Sequence, residues 1–320
     1  MIRESVAAML RQRVLGGFEL IFLDGRSTDA TRAILEDLAR EHSQIRVMDN
    51  PARRVPQALN LGLREARGEF IARMDGHTIY PADYLARGVE RLRRGDVVWA
   101  AGPQIARGRG KWSRRTALAL GSRLGVGGAG FRRASPHEFE ADSGFTGVWR
   151  KDTLESQAGW DEEWPVNQDS ELAARLRAGG GRIVCVPEMA ADYIPRDSLR
   201  ALARQYWRYG QYRAKTSGRH PQSMRRSHVV APALVLTLAM AAVPARAARP
   251  FRLAVAAYGL DLLAAGTDAL RRSSPRSDAI FVAPVLAIMH VAWGAGFLVG
   301  SLRFGFPLAA VRKVLRPGRR

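Results

Sequence analysis

The sequence predicts an α/β fold, a mostly parallel sheet with helices on both faces, followed by transmembrane helices at the C-terminal end. Three observations predict it. Two apolar strands each close on an acidic turn: Phe18-Glu-Leu-Ile-Phe-Leu-Asp24-Gly-Arg-Ser27-Thr-Asp29-Ala-Thr31, then Glu69-Phe-Ile-Ala-Arg73-Met-Asp75-Gly76-His77. Up to about residue 225, short strands alternate with amphipathic helices, the pattern of a covered parallel sheet. Beyond that point the charges vanish in blocks. Carboxylates at the carboxyl ends of two parallel strands share one crevice, the usual ligand position in open α/β folds.

Taken in order, Glu4 to Arg13 reads as a helix and Phe18 to Leu23 as a buried parallel-type strand. Ser27 or Asp29 caps the next helix, which runs to about His42. Ile45 to Met48 is a short strand, Asn50 to Arg54 a loop, and Val55 to Ala66 a helix carrying Asn60. Gly68 ends that helix and a strand runs on to Met74. Pro81 and Asp83 start another helix, and Val97 to Ala101 is another strand. Arg107 to Arg133, rich in Arg and Gly, reads as loops around one helix, where an acceptor would be held. Asp169 precedes a helix from Ser170 to Ala178.

The 320 residues give room for one large domain plus an appendage. Fifty Lys and Arg against 30 Asp and Glu leave a net charge of +20, which calls for an anionic partner. Lipid headgroups and a sugar nucleotide both qualify. Nucleic acid is not expected, because no binding motif is present and the arginines are spread rather than gathered on one face. Lone Cys185 excludes an internal disulfide and a multi-Cys metal site, and Arg182-Ile-Val-Cys-Val-Pro187 reads as buried strand. Arg3, Glu4, Arg11 and Arg13 interrupt any signal-peptide core at the start.

Val229 to Ala245 is an apolar run at the lower edge of spanning length, and Ala279 to Leu302 is longer and uncharged. Phe251 to Leu270 lies between them and carries Asp261 and Asp268, which makes it the weakest candidate span. Arg-rich flanks (Arg225, Arg226, Arg246, Arg249, Arg252, Arg271, Arg272, Arg276) favour membrane insertion over a helical soluble subdomain. Three spans would put the basic tail (Arg312, Lys313, Arg316, Arg319, Arg320) outside, against the positive-inside rule. Two spans with an interfacial middle segment would return it to the cytosol.

Four motifs in order resemble a family 2 inverting glycosyltransferase of the GT-A, nucleotide-diphospho-sugar transferase fold. They are Leu23-Asp24-Gly-x-Ser27-Thr-Asp29-x-Thr31, Ala58-Leu-Asn60-x-Gly62, Arg73-Met-Asp75-Gly-His77 and Asn167-Gln-Asp169-Ser-Glu171-Leu-x-x-Arg175. The resemblance covers roughly residues 1 to 215. With Tyr193-x-Pro-Arg196 before Gln205-Tyr-Trp-Arg208-Tyr209-Gly210, it is similar to the membrane-tailed succinoglycan glucosyltransferases of the ExoA type.

That resemblance implies a UDP-sugar donor and a lipid-linked glycan acceptor. A diphosphate leaving group needs its charge neutralised, usually by a hard divalent cation on a carboxylate. Asp75 is the expected ligand, with His77 standing where relatives carry a second Asp, a nitrogen donor suited to Mn2+ more than Mg2+. The alternatives are a helix cap for Asp75 and an exposed turn for His77. By resemblance Asp24 meets the uracil ring, with Arg53 or Arg54 near base and phosphates, or else solvated, and Ser27, Asp29, Asn60 and Arg73 completing the donor site. Inversion needs a base opposite the leaving group, and Asp169 fits, kept ionised by its helix end; a plain N-cap is the alternative. Gln205, Arg208 and Tyr209 resemble the Gln-x-x-Arg-Trp box of processive synthases, with Tyr for Trp, on a segment that also suits a membrane interface.

Relatives open on an apolar strand that this chain lacks before Met1, so a start placed too far downstream and weak activity are expected. The domains are then a catalytic domain over 1–195, an interfacial segment over 196–227, a transmembrane region over 228–302 and a basic tail over 303–320. The reading is a cytosol-facing, inner-membrane hexosyltransferase of exopolysaccharide biosynthesis. Its alternative is a truncated, non-catalytic scaffold in a polysaccharide assembly complex.

Overall fold

The structure, a computed structural model, describes residues 1–126, 130–132, 134–272 and 275–316. In chain order the elements are α1 (Ile2–Leu10), β1 (Leu20–Asp24), α2 (Thr31–Glu41), β2 (Ile45–Asp49), α3 (Val55–Glu65), β3 (Phe70–Arg73), β4 (Thr78–Ile79), α4 (Tyr84–Arg93), β5 (Trp99–Ala101) and β6 (Gln104–Ala106). They continue with α5 (Lys111–Leu120), α6 (Arg123–Val126), β7 (Phe139–Glu140), β8 (Gly147–Arg150), α7 (Lys151–Ser156), α8 (Gln168–Ala178), β9 (Ile183–Cys185) and β10 (Ala191–Tyr193). Last come α9 (Leu199–Arg219), α10 (Ser227–Ala241), α11 (Arg249–Arg272), α12 (Val282–Phe304) and α13 (Leu308–Leu315).

The chain divides into two units. The first joins 1–105 to 133–193, and the second joins 106–132 to 194–320. A contiguous 1–195 domain was expected, so the segment between β6 and β7 changes sides. Its α5 explains this: Arg114 and Arg115 donate to the buried Asp278 carboxylate at 3.0 Å each, and Trp112 meets Phe281 edge to face at 5.5 Å. A buried Arg115 and a half-exposed Arg114 on one buried carboxylate tie that segment to the residues before α12.

In the first unit β1 and β2 form a two-stranded parallel sheet in the register Leu20 with Ile45. A five-stranded sheet runs β3-β8-β5-β9-β7, and a small one runs β4-β10-β6. β5 and β9 are parallel, but β3–β8, β8–β5, β9–β7 and β10–β4 are antiparallel. The sheet is therefore mixed rather than mostly parallel. β8 causes this by returning between β3 and β5 with no crossover helix of its own, a pairing that antiparallel geometry permits. The core gathers Val6, Leu20, Ile45, Tyr84, Leu92, Val148 and Met189, with Trp149 sandwiched by Trp99 at 4.7 Å and Trp160 at 5.8 Å.

In the second unit α9 and α12 cross with their backbones nearly touching. A Cβ on Gly210 would stand 2.0 Å from the Trp293 carbonyl oxygen, and one on Gly296 would stand 2.1 Å from that of Trp207. Close approach through glycine is how apolar helices gain packing without a hydrophobic drive. The segment read as interfacial thus forms a helix pressed on α12. α11 and α12 sit in stretches, 246–271 and 276–304, long and apolar enough to cross a membrane, whereas α10 falls short and contains Pro232. The order of the expectations is reversed here, since the Asp-bearing middle run outreaches the first one. Asp261 and Asp268 lie on exposed faces of α11. The basic tail forms α13, where Lys313 donates to the Gln222 carbonyl, while Arg319 and Arg320 lie outside the described residues.

Candidate active site

Of the residues expected to meet the donor, Asp24, Ser27, Asp29, Arg53 and Arg54 lie at the end of β1 or in the turns that follow β1 and β2. Asp24 ends β1 nearly buried, and its carboxylate accepts from the Ser27 hydroxyl at 2.6 Å and the Ser27 N–H at 3.2 Å. An Asp that hydrogen-bonds the backbone a few residues on closes the turn itself. Asp29 accepts from the Thr31 N–H at 3.0 Å, which starts α2, and hydrogen bonding from the Thr31 side chain first, then from that N–H, lowers its pKa. Arg26, at φ +59°, pairs with Asp49 at the end of β2, a partner that spacing alone did not suggest. The Asn50 N–H donates to the Asp24 carbonyl, so the two strand ends are laced together. Arg53 sits at φ +55° with its Cα 3.6 Å from where a Gly25 Cβ would stand, and Arg53 and Arg54 are both exposed. The Asp24 turn and the Arg53 loop are in contact.

Asn60 goes elsewhere. Its amide donates to the Trp160 carbonyl and to Glu162, and accepts from the Trp160 N–H. Those bonds bind α3 to the 158–162 turn, so in this structure Asn60 joins two segments.

β3 ends on the central feature. Arg73 holds both oxygens of Asp75, Nε to Oδ1 at 2.9 Å and Nη2 to Oδ2 at 3.1 Å, with side chains only 11% and 16% exposed. Burial opposes the Arg73 charge, yet Asp75, and beyond it Asp169 and Tyr80, hold its pKa above the usual arginine range. Arg73 thus feels Asp75 and Asp169 together, which brings the fourth motif to the third. The Asp75 N–H donates to the Tyr80 hydroxyl at 2.7 Å, and burial first, then Asp75, pushes the Tyr80 pKa well up. Nothing in the spacing marked Tyr80. His77 meets the Tyr193 ring edge to face at 5.3 Å, where β4 pairs with β10, and Phe145 meets the same tyrosine at 5.6 Å.

Asp169 lies inside the first turn of α8 rather than before it. The N-cap position belongs to Asn167, left-handed at φ 61°. The Asp169 Oδ1 accepts from the Ser170 N–H at 2.8 Å. Glu171, two residues on, is buried and grips Arg175, which donates onward to the Gln157 and Gly159 carbonyls. The two acids of this turn therefore differ: Glu171 locks the turn through Arg175, and the Asp169 charge is felt by Arg73. Gln205 and Tyr209 belong to the second unit, where the Gln205 amide donates to the Tyr209 hydroxyl at 2.8 Å along α9, with Arg208 between them in sequence. Among the described residues no three His, Cys, Asp or Glu side chains cluster to hold a metal.

The comparisons agree with this geometry. The family model described as glycosyl transferase family 2 matches residues 1–153. The succinoglycan biosynthesis protein ExoA of Rhizobium meliloti is 33% identical over 283 residues, covering 87% of this chain and 84% of that protein. A beta-monoglucosyldiacylglycerol synthase of Nostoc sp. is 27% identical over 189 residues, 53% of this chain and 37% of the synthase. Among solved structures, a mannosyltransferase from Pyrobaculum calidifontis, in complex with GDP-Man and Mn2+, superposes with a TM-score of 0.54 at 20% identity. That match covers 91% of this chain and 82% of the mannosyltransferase, and it shows the GT-A fold. With a relative one-third identical along most of its length and the family match lying over Asp24, Arg73 and Asp75, this chain belongs to glycosyl transferase family 2 and is a glycosyltransferase.

Proposed function

We propose that the chain transfers a hexose from a UDP-sugar, with inversion, to a polyprenyl-linked glycan at the cytosolic face of the inner membrane, in exopolysaccharide biosynthesis. The observation that carries this is the two-pronged Arg73–Asp75 pair at the end of β3, Nε to Oδ1 at 2.9 Å and Nη2 to Oδ2 at 3.1 Å, with the Asp169 charge also felt by that guanidinium. A diphosphate-binding group and an acid able to serve as base are then in electrostatic reach of one guanidinium. Similarity to a succinoglycan biosynthesis protein supports the polysaccharide product, and similarity to a lipid glucoside synthase supports a lipid acceptor.

In this reading Asp169 takes the proton of the acceptor hydroxyl as its oxygen forms a bond to the anomeric carbon. The bond from that carbon to the phosphate oxygen breaks, and UDP leaves with the electron pair. Asp24, set by Ser27, accepts from the uracil N–H. Arg53, Arg54 and Arg73 offset the diphosphate charge. Asp75 and His77 suit a divalent cation, Mn2+ or Mg2+. The carboxylate oxygens keep lone pairs beyond those given to Arg73, His77 adds a nitrogen two residues on, and the diphosphate would supply the remaining oxygens. When bound, that cation would stabilise charge on the leaving phosphate. Gln205, Arg208 and Tyr209 serve the acceptor or the diphosphate. α11 and α12 anchor the chain in the bilayer.

The test is transfer from radiolabelled UDP-sugars to membrane lipid extract, with and without Mn2+, by the full chain and by Asp169→Asn. Cation-dependent labelling of lipid, lost in Asp169→Asn, is expected. No labelling from any UDP-sugar by the unaltered chain would overturn the reading and favour a scaffold.

A further inference from the structure

We propose that Arg73 is the built-in counter-cation of Asp75, and that a divalent cation gains this carboxylate only when Arg73 lets go of it for the donor's diphosphate. The inference rests on the donor and cation reading above. Arg73 already meets both oxygens of Asp75 through a two-pronged pair whose side chains are largely out of water. A second cation on that carboxylate would sit a few ångströms from a guanidinium that cannot lose its charge. In a poorly solvated site this repulsion is weakly screened.

The diphosphate resolves the conflict. Its oxygens offer the guanidinium the same bidentate geometry as a carboxylate, so Arg73 exchanges one fork partner for another. The backbone on either side of the pair is anchored, so the exchange is one of side chains. Arg73 is held in β3 opposite Gly147 of β8, and the Asp75 N–H is held by the Tyr80 hydroxyl. Asp169, whose charge Arg73 also feels, keeps the freed guanidinium from drifting out of the site. Cation capture without donor is thereby suppressed, and the two arrive together.

The experiment titrates Mn2+ alone, without nucleotide, into the full chain in detergent, reading free Mn2+ by electron paramagnetic resonance. Arg73→Gln should bind Mn2+ at least about tenfold more tightly than the unaltered chain, the size expected for removing one nearby charge. Arg73→Lys, a point charge without the fork, should tighten it less, and it covers the case where Arg73→Gln does not fold. The gain should vanish when Asp75→Asn is added to Arg73→Gln. Equal or weaker Mn2+ binding by both Arg73 variants would overturn the proposal. If the unaltered chain meanwhile transfers sugar with Mn2+, the donor and cation reading stands and only the role of Arg73 falls. If it transfers from no UDP-sugar, the underlying reading falls and this one with it.

Discussion

Asn60 and Trp160 are joined edge to edge across 100 positions, the amide Nδ2 donating to the Trp160 carbonyl and the Trp160 N–H donating to Oδ1, each at 2.8 Å. Trp160 is buried against Trp149, so neither backbone group has water to fall back on. Leaving a buried donor or acceptor unmade costs about 1–3 kcal/mol apiece. Asn60→Ala should therefore lower the melting temperature by several degrees and leave the KM for the sugar nucleotide unchanged. A raised donor KM with an unchanged melting temperature would return Asn60 to nucleotide binding.

Asp169 should behave in the opposite way. Its Oδ1 accepts from the adjacent Ser170 N–H, a bond an Asn oxygen can also accept, so Asp169→Asn should melt within a few degrees of the unaltered chain. A lost general base costs about 10²–10⁴ in rate. The drop should fall on kcat, with donor KM held within about twofold, because the base meets the acceptor proton only in the transition state. Steady-state transfer at fixed acceptor checks this, and a change confined to donor KM would move Asp169 from base to donor binding.

The parts of this fold that were legible are those fixed by neighbours in sequence. β1, β2, α2 and α3 fall within a few residues of their expected bounds, because apolar runs and the Asp24 and Gly68 turns act locally. The mixed sheet was not legible, since the β8 register, Ile71 with Trp149 and Ala100 with Val148, joins segments decades of residues apart. Nor was the transfer of 106–132 to the second unit, which rests on Arg114 and Arg115 finding Asp278. The site shows the same split. Asp24, Arg73 and Asp75 stood out as acids and bases at strand ends. Arg26, Asp49 and Tyr80 did not, because an ion pair between two strands and a hydroxyl accepting from a backbone N–H leave no periodic trace.

α11 carries a prediction about its surroundings. Leu253 and Leu260 are 71% and 67% exposed on a helix of spanning length, an arrangement that favours a hydrocarbon solvent. A nitroxide on Leu260→Cys in reconstituted vesicles should be reached by oxygen and shielded from a water-soluble nickel complex. Free access to the nickel complex would place α11 in water or at the interface.

Cys185 is the only thiol and lies fully buried in β9, where burial, with the Glu138 charge adding, pushes its pKa up to about 12. The thiolate is the nucleophile, so at pH 8 the folded chain should resist iodoacetamide and react only at its unfolding rate. The linked effect on stability follows in sign. The folded value exceeds the unfolded one, about 8.5, so the unfolded chain binds fewer protons above that pH. The contribution of this group is whole below about pH 8.5 and is lost progressively as pH rises toward 12. Cys185→Ala should remove that share of the alkaline loss while costing stability at neutral pH through the cavity it leaves. Chemical denaturation of both chains at pH 7 and pH 10 measures the two terms, and an unaltered gap between them at the higher pH would show that the thiol does not titrate with unfolding.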